Sequence, residues 1–181
     1  MKKIYILLST MIVFYFACTE FENSEKSNEI QTDYPDQESW EATMFFTKEG
    51  RKRAILTAGY IAKYSARRYT LLEENVKVDF FDENGNHKSV MTALEGKVFD
   101  DRQDMIATGN VVVVSDNGTT LYSEELHWLN KEEKIVSKVP VKITTKSDTL
   151  FGDTFKSDPD LINYEITNAR GTSDKTIKIN E

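Results

Sequence analysis

Thr108-Gly-Asn-Val-Val-Val-Val-Ser-Asp-Asn-Gly118 is the stretch on which the fold is decided. Successive side chains of a strand point to opposite faces, so four valines in a row leave neither face polar. The run closes on Asn117-Gly118, a pair that tolerates positive φ and is the strongest short-range hairpin signal. A strand that is apolar on both sides therefore turns back at residue 118 onto a neighbour.

Outward from that hairpin the same vocabulary recurs. Beyond Trp40 the chain is a series of short Val, Ile, Phe, Tyr and Thr runs separated by turn signals, which is how an all-β domain reads. Asn84-Gly85 marks a second hairpin, while Lys146-Ser-Asp148 and Asp158-Pro-Asp160 are weaker turns. No segment after residue 70 repeats at 3.6, and Arg53 to Tyr69 is read as strands rather than a helix.

The runs are also self-similar. Leu56-Thr-Ala58, Met91-Thr-Ala93, Leu121-Tyr-Ser123 and Leu150-Phe-Gly152 each set an apolar residue two before a small one, at steps of 35, 30 and 29 residues. Asn75-Val-Lys-Val78, Asn110-Val-Val-Val113 and Pro140-Val-Lys-Ile143 follow in register. Each unit reads as a small-residue strand, a second strand, a turn, an x-Val-x-Val strand and a hairpin turn. Such a unit cannot bury its apolar face alone and must pack on its neighbours.

Parity then assigns faces. Val76, Val78 and Phe80 alternate with Lys77 and Asp79, and Val141 and Ile143 share parity with Val139 against Lys142 and Thr144. Alignment of the units adds Val111 and Val113 to the inward set, with Val98 as a further candidate. Val112 and Val114 are the surplus outward pair, expected to be covered by something else or to lie at a partner-facing edge.

Composition removes several functions. The 181 residues carry a formal charge of −7, which gives no general affinity for phosphate backbones and excludes nucleic acid as the expected partner. Two histidines, His87 and His127, and one cysteine exclude His/Cys zinc sites and disulfide frameworks within the chain. No motif calls for a cofactor. Ser115-Asp-Asn117 lacks the companion motifs of a penicillin-recognising enzyme and is read as a turn. Asp100, Asp101 and Asp104 are read as solvated acids, so the chain is not expected to be an enzyme.

The cysteine has a use at the N-terminus. Lys2 and Lys3 precede an apolar run from Ile4 to Ala17, shorter than the ~20 residues a membrane span needs, and read as a signal peptide over 1–17. Tyr15-Phe-Ala-Cys18 resembles the lipobox of bacterial lipoproteins, in which Cys18 would be acylated; several chains at about 0.8 kcal/mol per buried methylene anchor stably. Residues 18–41 form an acidic tether with eight acids from Thr19 to Glu41 against Lys26 alone. Without Lys2 and Lys3, 21 basic side chains face 30 acidic ones, a formal charge of −9. The β domain is expected over 42–175, with a tail at 176–181.

Three further stretches carry a family resemblance. Thr92-Ala-Leu-Glu-Gly-Lys-Val-Phe-Asp100, Ala107-Thr-Gly-Asn-Val111 and Leu121-Tyr-Ser-Glu-Glu-Leu-His-Trp128 resemble the OstA-like domains of lipopolysaccharide transport proteins. A membrane anchor followed by one such domain is similar to the LptC family. The resemblance covers roughly residues 50 to 170 and implies an antiparallel β-jellyroll of two facing sheets, a partly open shell with an apolar interior. It implies receipt of lipopolysaccharide from a membrane ABC transporter and delivery to a periplasmic bridge protein of the same fold. The location implied is the periplasmic face of the envelope, with the inner membrane favoured; many family members keep an uncleaved transmembrane helix there, whereas the lipobox-like Tyr15-Phe-Ala-Cys18 makes a lipid anchor the expectation for this chain. By the same analogy the strands from Trp40 to Ala58 face the transporter and those from Phe155 to Gly171 face the bridge. Val76, Val78, Phe80, Val98, Val111, Val113, Val141 and Ile143 are the candidate wall of a lipid groove. The same residues would equally fill a closed core, which would make the chain an envelope interaction module.

Overall fold

The computed structural model describes residues 34–173. The expected signal peptide, Cys18, most of the tether and the tail at 176–181 lie outside the described residues. Within them the chain is all-β: β1 Gln37–Lys48, β2 Arg51–Tyr64, β3 Tyr69–Phe81, β4 His87–Phe99, β5 Met105–Ser115, β6 Thr120–Leu129, β7 Lys134–Ser137, β8 Val141–Thr144, β9 Asp148–Gly152, β10 Thr154–Ser157, β11 Tyr164–Thr167 and β12 Arg170–Ser173. β1 takes in Gln37 to Glu41, a correction to the tether expected over 18–41. Trp40 pairs with Tyr60 across β1 and β2, with ring centroids 5.6 Å apart, and Tyr60 donates a 2.5 Å hydrogen bond to Glu38. An edge strand wet on both faces tolerates this polar composition.

All pairing is antiparallel, in the order β1-β2-β3-β4-β5-β6. β6 then pairs with β8 through Thr120 to Ser123 and with β7 through His127 to Leu129. β8 continues to β9 and β12, and β7 continues to β10 and β11. Counting β7 with β8, β9 with β10 and β11 with β12, the twelve strands are nine long strands of one meander that does not close into a barrel.

Interruptions in the strand ladders line up across the meander. Glu74 and Asn75 of β3 stand opposite Leu94 alone, and Gly109 and Asn110 of β5 stand opposite Glu124 alone. These extra residues are β-bulges, which bend a strand and interrupt its ladder. The same line runs through Glu41 in β1 and through Asp153 and Asn168, where β9 passes to β10 and β11 to β12. Glu41, Glu74, Asn75, Gly109, Asn110 and Asn168 on this line all have positive φ. Gly109 is required there, because at φ 78 a Cβ would come within 3.0 Å of the Leu94 side chain. The line is a crease that folds the meander into two leaves.

The first leaf holds the N-terminal half of β2, the C-terminal half of β3, the N-terminal half of β4, the C-terminal half of β5, the start of β6, and β8, β9 and β12. The second holds the other halves with β7, β10 and β11. Phe80 of the first leaf meets Trp128 of the second with ring centroids 4.9 Å apart. The unit of about 30 residues read from the sequence is thus two bent strands, one up and one down. The expected break between the small-residue strand and its successor is a correction: Met91 to Ala93 and Gly96 to Phe99 belong to the single strand β4.

Both Asn-Gly pairs are hairpin turns, with Gly85 at φ 82 and Gly118 at φ 91. At the first, Asp82 accepts hydrogen bonds from the Asn86 side chain and from the Asn84 and Asn86 backbone N–H groups. Asn86 above all holds the Asp82 carboxyl well below the usual carboxylate range. A depressed carboxylate stabilises the fold above its unfolded pKa, and the gain is lost as pH falls through the folded value. We expect Asp82→Ala to lower the thermal midpoint at neutral pH, with the gap to the parent narrowing as pH falls below about 4. A gap that stays constant down to strong acid would contradict this.

Candidate functional site

The inward faces of the two leaves form one apolar interior. On the first leaf a cross-strand row runs Leu56, Val78, Met91, Val113, Leu121, Ile143, Leu150 through seven strands. Beside it Val76 pairs with Ala93, and Val111 and Ser123 lead to Val141. On the second leaf Val98 leads to Met105, Trp128 and Ile135. All eight candidate residues face inward, each 3% exposed or less: Val76, Val78, Phe80, Val98, Val111, Val113, Val141 and Ile143. Seven of them line the first leaf, and Val98 faces them from the second. All eight belong to one buried cluster that draws on both leaves.

Further inward residues of the second leaf include Leu72, Met105, Leu126, Trp128, Ile135 and Phe155, none of them among the eight candidates. Across the crease β3 keeps its inward parity from Leu72 to Val76, whereas β4 reverses it from Ala93 to Gly96 and β6 from Ser123 to Leu126. A single alternation carried through a strand loses one half of it.

Interior hydroxyls cluster at the crease and at the rim. Ser123 and Ser137 lie 3.2 Å apart at the crease and donate to the carbonyls of Glu125 and Val139. Ser89 and Ser115 pair across β4 and β5 at the rim next to Phe80. Ser115 Oγ donates to the Asp160 carbonyl at 2.6 Å, while Ser89 Oγ is buried with no hydrogen-bond partner among the described residues.

Opposite the crease the leaves meet through side chains and hairpin tips rather than through a strand ladder. Glu133, between β6 and β7, takes an ion pair from Lys48 at 2.7 Å and another from Arg53. Lys134 pairs with Asp158, which holds the Lys134 ammonium above its ordinary pKa. The meander also has two edges. β1 pairs only with β2 among the described strands, and its inward Ala42, Met44 and Phe46 are half-buried. β11 and β12 form the other edge.

The outward valines point as their parity requires. Val112 is half-buried, in a row that continues through Tyr122 and Lys142 to Phe151, and Val114, opposite Thr120, is 47% exposed. The Lys142 ammonium lies 5.4 Å from the Tyr122 ring centre. Asp100 accepts from Thr70, and Asp104 accepts from Arg102 and from the Asn130 backbone. Arg68 pairs with Asp101 and Arg170 with Asp153.

A family model described as "Lipopolysaccharide-assembly, LptC-related" matches residues 4–168. No curated protein matches the chain.

Proposed function

Because the chain belongs to the LptC-related family of lipopolysaccharide-assembly proteins, with the role in lipopolysaccharide transport that membership carries, we propose that its folded body is a lipid-transfer element. It is anchored at the periplasmic face of a membrane through an acylated Cys18, receives the lipid from an ABC transporter and passes it along the interior to a bridge protein of the same fold. The observation that carries this reading is the continuous apolar wall from Leu56 to Leu150, enclosed by a meander that is not closed into a barrel.

The physical case is one of continuity. Each acyl methylene moved out of water is worth about 0.8 kcal/mol, so several chains held in one pocket would not leave by thermal motion. Along a row of apolar residues running from strand to strand, an advancing acyl chain meets a new side chain ahead for each one it leaves behind. The unpaired edges supply the joints, because an edge strand can extend a partner's sheet by backbone hydrogen bonding. On this reading β1 and the start of β2 face the transporter, and β10 to β12 face the bridge.

A second reading is favoured by one observation, the filling of the interior at all eight candidate positions. In it the chain is an envelope interaction module that acts through its edges over a permanently closed core. A photocrosslinking residue at Val78, Val113 or Ile143 in cells separates the two. The carrier reading expects adducts with lipopolysaccharide from all three inward sites and none from the outward Val114. Adducts with protein alone from the inward sites would sink it and leave the interaction module.

A further inference from the structure

We propose that Leu161 is a removable stopper at the mouth of the interior, and that the hairpin tip from Asp158 to Asn163 is the flap that carries it; this rests on the carrier reading. The tip belongs to the second leaf, between β10 and β11, but it crosses the gap to the first. The Asp160 carbonyl accepts from Ser115 Oγ at 2.6 Å and from Asn117 Nδ2 at 2.7 Å, both at the β5–β6 turn. Leu161 follows at once, 1% exposed and packed into the core cluster. A surface hairpin tip that buries a leucine across the opening between two leaves is closing that opening.

Three features make it a flap rather than a fixed part of the core. First, Leu161 sits at φ 55, a region that bulky side chains avoid and occupy only where the surroundings impose it. Second, besides the Leu161 side chain, what ties the tip to the first leaf is two hydrogen bonds to one carbonyl, with no strand ladder to unzip among the described residues. Its other anchors, among them Lys134 to Asp158, Ser157 Oγ to the Asn163 carbonyl and the Leu161 N–H to the Asp158 carbonyl, stay within the second leaf. Third, the tip has room on both sides. A recess of about 260 Å³ lies between Asp158 to Asp160 and Arg53, Asp82 and Lys88, and one of about 430 Å³ lies between Leu161 and Ile162 and the turns at 117–119 and 145–148.

The rim behind the stopper suits an acyl lipid. Swinging the tip out uncovers the Ser115 hydroxyl beside the unpartnered Ser89 hydroxyl, next to Phe80. Buried hydroxyls without partners are rare because they forgo their hydrogen bonds to water. Ser115 Oγ, which also lies 3.3 Å from the Lys88 carbonyl, gives a second hydroxyl at the mouth of the apolar interior, and the pair match the ester or amide oxygens at the head of an acyl chain.

The test is the rate at which the full chain takes up fluorescently labelled lipid A in stopped flow. If the flap must open first, the parent's uptake rate levels off at high lipid concentration. Leu161→Ala is expected to raise that limit about tenfold. Asn117→Ala removes one latch hydrogen bond and leaves the core intact, so it is expected to raise the limit by a smaller factor even should Leu161→Ala fold poorly. Uptake by the parent with no plateau, or limits that neither variant changes, overturns the stopper and leaves the carrier standing. No uptake by the parent or either variant overturns the carrier reading and the stopper with it.

Discussion

Phe80→Ala is expected to destabilise the fold by about 3–5 kcal/mol, read as a lower urea midpoint. That is a large part of the roughly 5–15 kcal/mol that holds a domain of this kind folded. Phe80 is 1% exposed near the end of β3, and its ring meets Trp128 across the gap between the leaves. Truncation removes buried apolar surface, and strands fixed by ladders on both sides cannot collapse into the space left. Phe45→Ala, at a β1 site that is 66% exposed, is expected to cost at most about 0.5 kcal/mol. A double-mutant cycle of Phe80 with Trp128 should return about 0.5–1.5 kcal/mol of coupling. Equal effects at Phe80 and Phe45, or no coupling, would mean that the leaves do not pack as described.

Gly152→Ala is the second large effect, and it is local. Gly152 ends β9 one residue before the crease, where a Cβ would overlap Cγ1 of Ile166 and lie 2.5 Å from its Cδ1 and 3.1 Å from the Thr167 carbonyl oxygen. Overpacking of that kind costs about 1–3 kcal/mol when neighbours can shift only partly. The strain falls on β11, an edge strand paired only to β10. Hydrogen exchange should therefore show β11 and β12 losing protection while β2 to β6 keep theirs. Ile166→Ala in the same chain removes both clashing carbon atoms and should restore most of the protection. Under the proposed function the single variant also loses capture of a bridge protein at the C-terminal edge. Uniform loss of protection across the meander, or no rescue by Ile166→Ala, would show that the Gly152 contact is not what holds this edge.

Much of this is legible from residues alone. The Asn-Gly pairs give turns at residues 85 and 118, and alternation sets Val76, Val78 and Phe80 on the face that the structure buries. The same alternation separates Val111 and Val113, both 0% exposed, from Val114 at 47%. These readings hold because a hairpin pair and a period of two are local properties, fixed by φ and by pleat before any tertiary contact forms.

The crease is not legible. A bulge at Glu74-Asn75 has no composition that marks it off from a turn, so the halves of β4 read as separate strands. The reversals of parity from Ala93 to Gly96 in β4 and from Ser123 to Leu126 in β6 mean that one alternation cannot be carried through either strand. The start of β1 escapes for a related reason. Gln37 to Glu41 is as polar as the chain before it and becomes strand only because Tyr60 and the rest of β2 offer it a ladder.

For this protein the sequence by itself determined the all-β class, the positions of the hairpins, the family and the inward parity of the first leaf. These follow from short-range chemistry, since turn residues and alternation act over a few positions. The tertiary structure alone decided that nine bent strands fold along one line, that Glu133 ties the leaves together, and that Leu161 closes the gap between them. Each of those joins residues far apart in the chain, and the energy that selects them exists only once the leaves are in contact.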